Sequence, residues 1–437
     1  MLDNVANLLL TVGLLATVFG FPTNVALRYM LPGTAIGVLV GDLLFFWLAL
    51  HVARKTGKWD TTAMPLGLDT PSTFGMVFFV LGPAFNAALG KDIALASPDE
   101  IQAAAIHTWH VGICSIFLSG LFKIACSLGS NWIRRVFSRA GLLGSLAAIA
   151  LVLISFLPLL EILQLPLVGL VSLAVILTAL VARIPLPFKI PGALGSLVVA
   201  GALYYILLAM NDSLPTMLRL PPMATDFDPQ DGLWPFEWLN VFRFEWLGAM
   251  GVALHYLPIV IPFALATVVG GIDCTESAAA AGDEYDTNTV IGIEAIATLA
   301  ASLCGGVIQT TPYIGHPAYK AMGGRSAYTL ATAIFIGLTG LLGFAGYLYV
   351  YIPKPTIFPI LIFVGLEIAA QSFLATPRRH YPAVAFACIP ALATLALMFV
   401  EKVIGDPVMF QQQVVTPEVL ASGDMVNALA RESTVHE

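Results

Sequence analysis

Three groups of residues in this chain combine types and spacing that could hold a ligand or move a proton. Asp69 stands directly before Thr70-Pro71, in Asp-Thr-Pro-Ser-Thr-Phe-Gly. Asp273 and Glu276 lie three apart in Gly-Gly-Ile-Asp-Cys-Thr-Glu-Ser, on one helical face if the helix continues. Thr310, Thr311 and Tyr313 bring hydroxyls to Gln-Thr-Thr-Pro-Tyr-Ile-Gly-His-Pro, where His316 follows. A carboxylate inside an apolar span suits a proton or cation site. Imidazole titrates near neutral pH, so His316 suits proton coupling or substrate hydrogen bonding.

Each has a plainer alternative. Asp273 and Glu276 also read as loop residues continuous with Asp283, Glu284 and Asp286. His316 also reads as a structural histidine bonded to a neighbouring helix. His107 and His110 sit near the outer end of an apolar run and suit an interface. Glu367 and Gln371, four apart, could face a cavity wall, while Asp42 and Glu294 suit helix packing or a loop edge.

The elements that carry these groups are apolar spans. Only 11% of the 437 residues are charged and 58% are hydrophobic, with a mean hydropathy of +0.87. A soluble domain carries roughly 25% charged residues. Runs of about 20 apolar residues recur, the length that crosses a bilayer as a helix. Spans are expected near 5–20, 30–53, 63–86, 105–128, 137–157, 166–182 and 193–210. After a polar segment they resume near 246–271, 288–304, 308–322, 327–350, 355–374 and 381–401. The fold class is therefore all-α and polytopic, with thirteen spans.

Loop charge orients them. Arg54, Lys55 and Lys58, then Arg134, Arg135 and Arg139, then Arg183 and Lys189, then Arg378 and Arg379 all follow even-numbered spans. Asp92, Asp99, Glu100, Asp226, Asp228 and Asp231 lie in the opposite loops. Lys and Arg favour the cytoplasmic side, which places the N-terminus there and suggests the cytoplasmic membrane. An odd count leaves the polar tail 405–437 outside and a fourteenth span unaccounted for.

The Thr70-Pro71 and Thr311-Pro312 pairs fall at matching distances from the start of each half. Proline withholds a donor and restricts the residue before it, so each span should contain an extended stretch followed by a half-helix. Paired broken spans are the pattern expected of an inverted repeat whose binding site lies where the breaks meet; the plainer alternative is that Pro and Gly merely kink ordinary spans. The half-helix starts there offer N–H groups and a positive dipole end to an acceptor-rich or anionic ligand. Gly337, Gly340, Gly343 and Gly346 suit close helix packing. No catalytic residue, cofactor or metal site is expected. The five cysteines are scattered and form no CxxC pair, no basic patch suggests nucleic acid, and neither HExxH nor GxSxG occurs.

The run from Glu294 to Gly306, then Gln-Thr-Thr-Pro-Tyr313, then Gly323-Gly-Arg-Ser326, resembles the ninth and tenth spans of the nucleobase–cation symporter-2 (xanthine/uracil permease) family. Ala63-Met-Pro-Leu-Gly-Leu-Asp69 is similar to the third-span motif of its adenine/guanine/hypoxanthine branch, with Asp69 in place of an asparagine. The resemblance implies fourteen spans in two inverted repeats of seven. Residues 1–136 and 246–350 would form a core domain and 137–210 and 351–404 a gate domain. Residues 211–245 would join them outside the membrane. It adds Leu68, Gly270 and Gly315 to the substrate candidates Asp69, Thr70, Asp273, Thr310, Thr311, Tyr313 and His316, with Asp273, Glu276 and His316 as coupling groups. Gly270, and Ile314 or Gly315, occupy places where that family carries acidic or amide side chains.

The expected function is proton- or sodium-coupled uptake of a nucleobase-like small molecule. The alternative is an anion carrier of the same fold, since glycines at those places leave helix N-termini facing the site. A homodimer is left open.

Overall fold

The computed structural model describes residues 2–130 except 92, 147–211 except 149, 188 and 189, residue 220, and 227–397 except 314, 315, 322, 375, 376, 391 and 394. Helix α1 (Leu2–Phe19) leads to α2 (Thr23–Thr56), which widens by a π turn at Ala26–Met30. The third expected span begins as a short strand, β1 (Leu66–Leu68), and continues as α3 (Thr70–Leu89). Then come α4 (Pro98–Leu128), α5 (Ala150–Gln164), α6 (Pro166–Val181) and α7 (Gly192–Ala209). Helix α4 opens on a full capping box, in which Ser97 and Glu100 satisfy each other's backbone N–H groups. Three 3-10 turns run through the polar connection between Pro229 and Ala249.

The second half repeats the order. Helices α8 (Leu257–Ala280) and α9 (Thr287–Leu303) precede β2 (Thr310–Pro312) and the half-helix α10 (His316–Ala321). Then follow α11 (Ala327–Leu341), α12 (Phe344–Tyr351), α13 (Lys354–Leu374) and α14 (Tyr381–Ala387). Each of the thirteen expected spans carries helix within its described residues, interrupted in the third and tenth by the extended stretches that contain β1 and β2 and in the eighth by a turn at Tyr256.

One expectation is corrected. The stretch 327–350, read as a single span, is two helices meeting at 89°. Gly343 makes the corner with φ +80°, a conformation side-chain-bearing residues rarely adopt. The glycine series splits accordingly. Gly337 and Gly340 face Leu39 and Ala35 of α2, while Gly343 and Gly346 face Gly232 and Phe227 of the polar connection.

Helices α2, α4, α9 and α11 pack on one another around the strand pair, and α5, α6, α7 and α13 form a second packed group. Glycine permits the tightest approach. A Cβ on Gly33 of α2 would lie 2.2 Å from the Cys304 carbonyl oxygen just beyond α9. The interior is apolar around Trp109, Trp246, Phe74 and Phe85, yet Trp47, Val198, Ile206, Leu338 and Phe386 project outward. An apolar exterior over an apolar interior is what a bilayer accepts. Arg54, Lys55, Arg183, Arg378 and Arg379 are exposed, whereas Arg134, Arg135, Arg139 and Lys189 lie outside the described residues.

Candidate functional site

The two strands meet each other. Leu66 pairs with Pro312, Gly67 with Thr311 and Leu68 with Thr310, antiparallel. Equivalent segments of two inverted repeats must run antiparallel where their axis passes between them, so the pairing is centred on Gly67 and Thr311. The ladder extends by one bond at each end, from Asp69 N to the Gln309 carbonyl (3.1 Å) and from Tyr313 N to the Pro65 carbonyl (2.8 Å). A strand in a helical membrane protein is stable only when its polar backbone is enclosed by protein. Here Asn4 Oδ1 accepts from Leu68 N (2.8 Å), and Asp42 Oδ1 accepts from Leu66 N (2.9 Å).

Helix α3 starts immediately after β1. Asp69 is its N-cap, with the carboxylate accepting from Ser72 N at 2.8 Å and also from the Ser72 hydroxyl. Pro71 sits in the first turn, where its missing N–H does no harm. The cap belongs to a buried chain: Ser119 Oγ donates to Gln309 Oε1 (2.7 Å), and Gln309 Nε2 donates to Ser72 Oγ. Thr70 Oγ1 accepts from Asn7 Nδ2 at 3.0 Å, and Leu68 is buried within β1.

Behind β2 lies a buried pair of side chains of opposite charge type. Lys123 Nζ of α4 is 2.8 Å from Glu294 Oε1 of α9, and both side chains are fully buried. Lys123 also donates to the Thr310 carbonyl (2.9 Å) and reaches Thr298 Oγ1 (3.4 Å). Thr310 and Thr298 hydroxyls lie 3.2 Å apart. Glu294, read from sequence as a packing or loop-edge group, is therefore a member of this centre, and Asp42 holds β1.

Helix α8 crosses the same region. A Cβ on Gly271 would fall 2.8 Å from Glu294 Oε2, whereas one on Gly270 would meet nothing within 4 Å. Gly270 thus faces open space. Asp273 is half-buried about one turn further along, and its neighbour Cys274 directs its thiol at the Pro312 carbonyl (3.4 Å). Glu276 lies in α8, with its side chain outside the described set, and Gly315 lies outside the described residues. Thr311 and Tyr313 are half-buried.

His316 opens α10, but its imidazole is engaged elsewhere. Nε2 lies 2.9 Å from Asp283 Oδ2 in the turn after α8, and the ring stands edge-on to Tyr285. Lys320 Nζ donates to the other Asp283 oxygen (2.6 Å), and Thr62 N donates to Oδ2 (3.2 Å). Tyr285 O–H closes the cluster on the Thr62 carbonyl. Burial pushes the Asp283 carboxyl up, but the Lys320 ammonium and its other donors outweigh that and hold it below the ordinary range.

Asn4, Asn7, Ser119 and Lys123 were missed from sequence. Lys123 carried a usable signal, as a lone cation in Leu-Phe-Lys-Ile-Ala. The three others are small polar residues that apolar helices commonly hide.

No protein-family model matches the chain, and no curated protein matches it in sequence. Many solved structures resemble it in fold, two of them as follows. The transmembrane domain of a cyanobacterium bicarbonate transporter, BicA, matches with TM-score 0.54 at 15% identity, over 90% of this chain and 96% of that one. SLC26A9 matches with TM-score 0.50 at 14% identity, over 90% of this chain and 61% of that one. The chain shares the inverted-repeat core-and-gate fold of these membrane domains.

Proposed function

We propose that this chain is a secondary carrier of a small anion across the cytoplasmic membrane, with its N-terminus cytoplasmic. The observation that carries the reading is the antiparallel meeting of β1 and β2, with α3 starting at one end of the pair and α10 beyond the other, beside the open space at Gly270. Helix starts present N–H groups and a positive dipole end to anions. A glycine facing that space contributes no carboxylate to repel one. The fold likeness to a bicarbonate transporter supports it. Leu68, Thr70, Thr310, Thr311 and Tyr313 line the strand crossing in this reading, and Asp273, beside Gly270, is a coupling candidate.

Uptake of a nucleobase-like molecule, implied by the sequence blocks around Glu294 and Thr311, is less favoured. It lacks the paired polar side chains at Gly270 and Gly315 that would bond a base.

A thermal-shift panel on purified protein separates the readings, because a ligand that binds the folded state raises its apparent stability. Stabilisation by bicarbonate, sulfate, chloride or short carboxylates, and not by uracil, xanthine or adenine, is expected. Stabilisation by the bases alone would overturn the anion reading.

A further inference from the structure

The Lys123–Glu294 pair is an unusual thing to bury in a membrane protein. Two ionised groups with no solvent exposure must neutralise each other, and removing either leaves a stranded charge. The pair does not stand apart from the candidate site. Lys123 bonds the Thr310 carbonyl at the β1–β2 crossing, and Glu294 Oε2 fills the gap left by Gly271, next to open-faced Gly270. The Glu294 carboxylate is held by its ionic contact with Lys123, with the Thr267 hydroxyl of α8 also acting on it.

The charges around the pair come from every element packed on it. Asp69 at the start of α3 acts on both Lys123 and Glu294. Glu294 acts electrostatically on Cys126 of α4 and Cys274 of α8, and Asp273 acts on Cys274 from the same helix. Asp42 of α2 is committed to Leu66 N. The thiols are neutral in ordinary conditions. With every carboxylate ionised, Lys123 is outnumbered by the acids around the crossing. An anion entering there meets net negative charge.

We propose that Glu294 is a proton site coupled to the anion. It takes up one proton from solution as the anion binds, forming an O–H bond and becoming neutral. Lys123 stays an ammonium, and its charge, no longer cancelled by Glu294, balances the anion at the strand crossing. Release of the anion returns the proton to solution on the other side and restores the ion pair. The inference rests on the anion-carrier reading and supplies its coupling ion.

The test uses full-length protein in detergent, with bicarbonate as probe and free bicarbonate held constant as pH varies. One coupled proton tightens wild-type Kd by up to about tenfold per unit of acidification, over the part of the range from about pH 6 to pH 8.5 in which Glu294 is ionised in the free protein. Glu294→Gln should bind with a Kd that does not change across that range. Glu294→Gln that keeps the wild-type slope overturns the proposal. Lys123→Gln alone strands Glu294 and is expected to fold poorly, so the second variant is Lys123→Gln with Glu294→Gln, which keeps the pair neutral. It should bind at least tenfold more weakly than Glu294→Gln at every pH; equal affinity overturns the part given to Lys123.

Infrared difference spectra, with isotopically labelled bicarbonate to move its own bands, add an independent readout. A protonated-carboxyl stretch should appear on binding in wild type and be missing in Glu294→Gln. If no anion binds at any pH, the anion reading falls. The same stretch followed in a ligand-free pH titration then decides the proton site, supported if Glu294→Gln removes it and overturned if it persists.

Discussion

Asp283 holds His316 by its Nε2 at 2.9 Å, at the start of the half-helix α10 that follows β2. The same carboxylate takes Thr62 N from the segment entering β1 and Lys320 from α10. One buried residue therefore fastens both broken spans to the turn after α8. The two strands can keep their register only if the segments outside them do not slide, so the cluster is a fastening for the site rather than part of its lining.

Replacing Asp283 should therefore destabilise the core. Asp283→Asn leaves the Lys320 ammonium without its counter-charge and removes an acceptor from Thr62, a loss of about 3 kcal/mol by comparison with broken buried pairs. Thermal unfolding in detergent should show a clearly lower midpoint. The Asp283 carboxyl sits below its usual range, so its stabilisation is present above the ordinary carboxylate range and fades as pH falls through the lowered value. Wild type should lose stability on strong acidification by a component that Asp283→Asn lacks. Equal acid sensitivity in both would remove the cluster from this role.

Gly270 offers the most direct handle on the ligand. Because a Cβ there meets nothing within 4 Å, Gly270→Ala should fold normally. Gly270→Glu should also fold, yet place a carboxylate in the open space. Two like charges about 4 Å apart repel by about 4 kcal/mol at an effective dielectric near 20. Anion affinity should fall at least a hundredfold in titrations of the glutamate variant and little in the alanine variant. An anion that binds both equally does not use this space.

The broken third and tenth spans were legible because proline acts locally: Thr70-Pro71 and Thr311-Pro312 forbid a continuous helix wherever the chain goes. Asp69 was legible as a candidate site residue but not as a helix cap, since capping depends on where the helix starts. The corner at Gly343 was hidden because Leu341 through Tyr351 stay apolar across it, and hydropathy cannot register a change of direction. His316 stood out as titratable. Its partner Asp283, however, comes from a turn more than thirty residues earlier, and no local pattern links them. Lys123 and Glu294 were likewise separated until α4 and α9 packed.

The corner itself is testable. Gly343 combines a positive φ with a Cβ position 1.8 Å from the Gly232 carbonyl oxygen, so alanine there meets both backbone strain and a clash. Gly343→Ala should lower the unfolding midpoint by the equivalent of about 2 kcal/mol or more. Gly251→Ala, in a helical turn with nothing within 4 Å, should be close to neutral. Similar midpoints for the two variants would mean that the polar connection does not rest against Gly343.

Asp69 separates the stability of the site from its charge. Its carboxylate caps α3 by accepting from Ser72 N at 2.8 Å, and asparagine can accept the same bond with a neutral oxygen. Asp69→Asn should keep the unfolding midpoint within a few tenths of a kcal/mol, whereas Asp69→Ala should cost about 1 kcal/mol. Affinity should move differently. The native carboxylate places negative charge on the helix start that would otherwise attract the ligand. Removing that charge while keeping the cap should tighten anion binding by up to about tenfold, equivalent to roughly 1.4 kcal/mol. Titrating both variants with bicarbonate checks this. Tighter binding in Asp69→Asn would mean that the carboxylate competes with the ligand for the start of α3. Weaker binding would mean instead that a cation or proton held by Asp69 accompanies the anion into the site.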